Sequence, residues 1–163
     1  MTGYGKSTSG LLAWCGGSRG LAWLAGLNLA IGIPLCLLAL AGSRLHAAEA
    51  TVYSWLALPP LFSEWLMRPW TLLTYMAAHF SLLQLLFNTA WLIWFGRMLL
   101  DVAPQRMLLQ LYIGGGIAGG LCYMAAGTLL GGAGAGLSGA SVAVLSLMTA
   151  TALTMPNLSL IHI

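Results

Sequence analysis

The stretch PWTLLTYMAAHFSLLQLLFNTAWLIWFG, residues 69–96, carries no Asp, Glu, Lys or Arg, and its reading decides the fold. A helix needs about 20 apolar residues to cross a bilayer core, so this run is long enough to span. Yet it holds Gln84 and Asn88, and amides at membrane depth are costly enough to ask for a reason. Outward from it the pattern repeats. Residues 20–43 form a second uncharged run, and after Arg106 no charged side chain occurs again. The nine charges, Lys6, Arg19, Arg44, Glu49, Glu64, Arg68, Arg97, Asp101 and Arg106, punctuate the chain between apolar segments. An all-α polytopic membrane protein follows, with about four transmembrane helices.

Composition agrees. Hydrophobic residues make up 60% of the 163 and charged residues 6%, and the mean hydropathy is +0.90. A soluble domain carries roughly 25% charged residues. The net charge of +3 is dispersed, with no basic cluster, which argues against nucleic acid as a partner. The positive residues instead flank the spans, placing the N-terminus and the 97–106 link in the cytoplasm and the 44–68 connection outside. Cys15, Cys36 and Cys122 are odd in number and far apart, so they read as inert thiols rather than a disulfide or metal set.

The expected organisation is a cytoplasmic tail over 1–19, spans over about 20–42, 75–96, 107–126 and 138–155, and an outer interfacial loop over 43–70. Pro59, Pro60 and Pro69 break that loop, and its Tyr and Trp residues suit the headgroup level. Gly115 with Gly119, and Gly116 with Gly120, have the spacing that lets membrane helices approach closely. The last helix, counted from Ser141 to Met155, is only about 22 Å long against a bilayer core near 30 Å. If its cytoplasmic end reaches the membrane surface, the serine at its N-terminus lies below the outer surface, where irregular backbone must be covered by protein or line a wet cavity.

Ser81, Gln84 and Asn88 follow an i, i+3, i+7 pattern and share a helix face. Interhelical hydrogen bonding explains them as readily as chemistry does. On the chemical reading, Asn88 and Gln84 donate N–H groups to an oxyanion beside a serine. His79 alone reads best as an interfacial histidine. The serines are Ser138, in Gly136-Leu137-Ser138-Gly139, and Ser141, in Gly139-Ala140-Ser141. A serine nucleophile needs a base, and none of His46, His79 or His162 is placed convincingly to serve.

The combination is more specific than its parts. His79-Phe80-Ser81-x-x-Gln84-x-x-Phe87-Asn88, then Trp91, Gly96-Arg97 and Gly139-Ala140-Ser141, resembles the rhomboid intramembrane serine proteases. Arg68-Pro-Trp-Thr-Leu-Leu-Thr-Tyr75 and Trp94-Phe95-Gly96-Arg97 resemble bacterial members, and the likeness extends over about 20–157. It implies a rhomboid-like bundle with a six-helix core and a serine–histidine dyad, without metal or cofactor. The implied substrates are transmembrane or membrane-proximal segments of other proteins, within a bacterial inner membrane. Family spacing favours Ser141 as nucleophile over Ser138. Asn88 matches the oxyanion asparagine, while Gln84 stands where the family often has a second histidine; glutamine keeps an N–H donor but cannot become cationic.

The family's catalytic histidine lies on the sixth core helix, and only four spans are legible here. Leu-Ser-Leu-Ile-His-Ile at 158–163 resembles a translated adapter, so the expectation is a C-terminally truncated protease with a non-native tail. The rival is a naturally short, inactive rhomboid-like protein that binds membrane clients. A small transporter is a third reading, without an intramembrane charge pair or inverted repeat in its favour.

Overall fold

The computed structural model describes residues 10–41, 45–132 and 134–154. These form eight helices: α1 (Gly10–Trp14), α2 (Arg19–Leu40), α3 (His46–Leu56), α4 (Phe62–Trp65), α5 (Thr71–Thr74), α6 (Leu82–Leu100), α7 (Gln105–Leu129) and α8 (Ser141–Thr154). Three of them, α2, α6 and α7, are long and apolar enough to cross a membrane, and α8 is a shorter apolar helix of 14 residues. The all-helical membrane bundle is the architecture the charge map implied.

Helix α2 starts where Ser18 caps it, its hydroxyl accepting from the Leu21 N–H at 3.3 Å. Pro34 lies inside α2, a position membrane helices tolerate. Residues 10–18, expected as tail, include α1, and Leu11 approaches Gly26 of α2. Arg97 reaches the Trp14 carbonyl at 3.3 Å and the Ser18 hydroxyl reaches Gln105 at 3.3 Å. The N-terminal segment and the turn between α6 and α7 thus share one end of the bundle. At the other end, the 45–70 connection meets the loop between α7 and α8.

That connection is not a plain loop. It holds α3 and α4, and α3 is tied down at its C-terminal end: Arg68 donates to the Ser54 carbonyl and Trp70 Nε1 to the Trp55 carbonyl at 3.1 Å. Trp55 and Trp70 stack with centroids 5.6 Å apart. Helix α6 begins at Leu82 rather than near 75, and runs on to Leu100. Residues 75–81 precede it in turn and irregular backbone, where the Tyr75 carbonyl accepts from the Gly139 N–H and the His79 carbonyl from Cys36 Sγ.

Glycines set how closely α7 is approached. A Cβ on Gly115 or Gly119 would run into Ser146 or Val142 of α8. One on Gly116 would meet Met76, and one on Gly120 would meet Leu72 and Leu58. The two interleaved Gly-x-x-x-Gly pairs therefore serve two different neighbours, α8 on one side and the α5 region on the other. Asn28 of α2 donates to the Tyr112 hydroxyl of α7 at 3.0 Å, and both side chains are buried. Of the cysteines, Cys15 and Cys36 are buried while Cys122 is exposed.

Replacing Gly119 by leucine should cost about 1–3 kcal/mol through overpacking against Val142. Gly114 has open space around its Cβ position, so Gly114→Ala should be neutral or stabilise by up to about 1 kcal/mol. Reversible unfolding in bicelles measures both. Equal losses at the two positions would contradict the packing described.

Candidate active site

Between α7 and α8 the chain runs in irregular backbone, and each residue from 135 to 140 has at least one backbone polar group bonded to a partner. The Tyr123 hydroxyl donates to the Ala135 carbonyl and the Tyr53 hydroxyl to the Gly136 carbonyl. Leu137 pairs with Leu58 in an antiparallel bridge, N–H to O at 2.8 Å one way and 2.9 Å the other. Gln84 Nε2 donates to the Ser138 carbonyl at 2.8 Å. The Gly139 N–H donates to the Tyr75 carbonyl at 2.8 Å. The Ala140 N–H donates to His79 Nε2 at 3.2 Å, and the Ala140 carbonyl accepts from Val144 within α8 at 2.8 Å. The buried part of this backbone, at Gly139 and Ala140, needs such partners.

Helix α8 then opens at Ser141. Gly139 takes φ +94°, a left-handed value that favours glycine, and the turn it makes directs Ala140 inward and Ser141 outward. A Cβ at 139 would strike the Gln84 amide and stand 3.3 Å from Asn88 Nδ2. Glycine is required there twice over, by conformation and by the closeness of both amides.

Asn88 is buried on α6 and donates through Nδ2 to Ser141 Oγ at 3.2 Å. The same Nδ2 lies 3.1 Å from His79 Nε2. His79 is fully buried within the protein. Its Nδ1 lies 3.0 Å from the Ala77 carbonyl, which only accepts, so Nδ1 carries the proton and Nε2 offers a lone pair.

The structure thus brings Asn88 to Ser141 and Gln84 to Ser138, but through different groups: the Ser141 hydroxyl in one case and the Ser138 carbonyl in the other. The Ser138 side chain lies beside the Tyr53 phenol instead. Ser81, the third residue of the helix-face pattern, sits exposed at the start of α6 and takes no part. Of the histidines, His46 pairs with Glu49 at 3.6 Å on α3, His79 is committed as above, and His162 lies outside the described residues. No described histidine hydrogen-bonds Ser141. Among the described residues no group of three or more His, Cys, Asp or Glu gathers as a metal site.

Fold and site together define a polytopic helical membrane protein with a serine at a helix N-terminus, faced by a buried asparagine. The Rhomboid domain model matches residues 67–162, and the chain belongs to the rhomboid family. No curated protein and no solved structure matches the chain. Sequence reasoning missed His79 as a member of the site, along with the carbonyls of Tyr75 and Ala77. They sit in non-helical backbone, where no periodicity marks a shared face.

Gly139→Ala should destabilise the protein by about 1–3 kcal/mol from backbone strain alone, beyond any loss from displacing Gln84. Gln84→Ala leaves the Ser138 carbonyl without its donor and should cost about 1–3 kcal/mol. Both are read from unfolding free energies. A double variant losing as much as the two singles combined would show that the residues act independently.

Proposed function

We propose that the protein is an intramembrane serine endopeptidase with Ser141 as its nucleophile. The observation that carries this reading is the Asn88 Nδ2 to Ser141 Oγ hydrogen bond at 3.2 Å, made by a buried amide to an exposed serine at a helix start. Ser141 Oγ attacks the scissile carbonyl and its proton passes to a base. The Ser141 N–H is among the first of α8, which have no partner within the helix, and it is aimed with Asn88 at the developing oxyanion. Gln84 contributes its second amide hydrogen while the first holds the Ser138 carbonyl. Ser138 is the alternative nucleophile, and its place beside Tyr53 rather than Asn88 favours Ser141.

The reading requires an imidazole from outside the described residues to accept the Ser141 proton, as the family's dyad supplies. The substrates are single-span membrane proteins that enter laterally and unwind near the outer surface. Support comes from the described part of α8: with its Thr154 end at the cytoplasmic surface, 14 residues reach about 21 Å, short of a bilayer core near 30 Å, which leaves the serine end within the membrane. We place the protein in the cell membrane of a bacterium on the strength of the Arg68-to-Tyr75 and Trp94-to-Arg97 motifs.

A second reading is an inactive rhomboid-like protein that binds membrane clients, favoured by the lack of a described histidine hydrogen-bonded to Ser141. The two are separated with the full-length protein in liposomes and a single-span reporter. A protease cleaves the reporter within or beside its transmembrane segment. Asn88→Ala should lower the maximal rate by about 10²–10³ with little change in KM. Client binding that persists without cleavage, and is unchanged in Ser141→Ala, supports the inactive reading instead.

A further inference from the structure

The geometry points to His79 as a positioning residue that sets which end of the Asn88 amide faces Ser141; this rests on the serine-site reading above. Four groups form a chain. The Ala77 carbonyl accepts from Nδ1 at 3.0 Å and fixes the proton there. The remaining lone pair on Nε2 is met by the Ala140 N–H at 3.2 Å, from the residue that precedes the serine. It is also met by Asn88 Nδ2 at 3.1 Å. Asn88 Nδ2 has a second hydrogen, and that one reaches Ser141 Oγ at 3.2 Å.

Among the described residues, the hydrogen bonds that orient Asn88 are those of this chain. A serine hydroxyl both donates and accepts, so Ser141 tolerates either end of the amide. Only His79 discriminates. With its lone pair facing Asn88, a flipped amide would set carbonyl oxygen against lone pair in a buried site. The flipped amide would also present an oxygen to the developing oxyanion, replacing attraction by repulsion. One imidazole therefore fixes both the last backbone N–H before the nucleophile and the polarity of the oxyanion donor, without touching substrate.

Two measurements on the full chain test this. In the first, ¹⁵N-histidine-labelled protein is examined by NMR in detergent micelles, with His79→Leu identifying the resonance. The expected result is a neutral ring protonated at Nδ1 and bare at Nε2; a ring protonated at Nε2 overturns the inference. In the second, the rate of Ser141 phosphonylation by a fluorophosphonate is followed in two variants. His79→Gln returns an acceptor oxygen near the position of Nε2, whereas His79→Leu fills the volume without one. The glutamine variant should keep its limiting rate within about threefold, while the leucine variant loses about tenfold with half-saturation unchanged, one hydrogen bond's worth. Equal losses in the two variants overturn the positioning role while leaving the serine reading standing. If the unsubstituted protein itself does not react, the serine reading has failed, and the ring's protonation still decides the inference.

Discussion

Buried backbone polar groups need partners, and the loop from 135 to 140 finds many of its own in side chains and backbone of other elements. Several of its carbonyls and N–H groups are bonded to other parts of the fold: Tyr53 of α3, Leu58, Tyr75, His79, Gln84 of α6 and Tyr123 of α7. The loop is thereby a hub. The 45–70 connection, the irregular 75–81 segment and helices α6 and α7 are all bonded to it, and the serine follows it directly. Loss of a partner from a buried group such as the Ala140 N–H leaves it unsatisfied at a cost of about 1–3 kcal/mol, so site geometry and stability are not separable here.

The same constraint explains the glycines. Gly139 is needed for its φ of +94° and for the closeness of Gln84 and Asn88. The glycines of α7 let α8 and the α5 region approach without side chains between them. Close approach on both flanks of α7 brings the start of α8 within reach of α6, where the two amides are. Packing residues with no chemistry of their own therefore determine where Ser141 stands relative to Asn88.

Much of this was legible in the chain. The uncharged runs located the spans, because charge is so costly in a bilayer that its absence is informative. Asn88 and Gln84 were legible because amides in an apolar run need partners. Where periodicity ended, legibility ended too. Residues 75–81 read as the first turns of a helix, since their composition is apolar and hydropathy does not distinguish helix from irregular backbone. That concealed His79 and the two carbonyls around it. The 43–70 connection was read as interfacial from its aromatic residues, but α3 and α4 within it depend on the Arg68 and Trp70 contacts, which link residues 14 and 15 positions apart.

Two serines three positions apart are presented at the start of α8, and the account turns on their different neighbours. Asn88 donates to the Ser141 hydroxyl, whereas Gln84 donates to the Ser138 carbonyl and leaves its hydroxyl aside. The most direct test is peptide mapping by mass spectrometry after the full-length protein reacts with a fluorophosphonate. The account expects a single phosphonyl adduct on Ser141, retained in Ser138→Ala and absent in Ser141→Ala. An adduct on Ser138 that survives loss of Ser141 would contradict it.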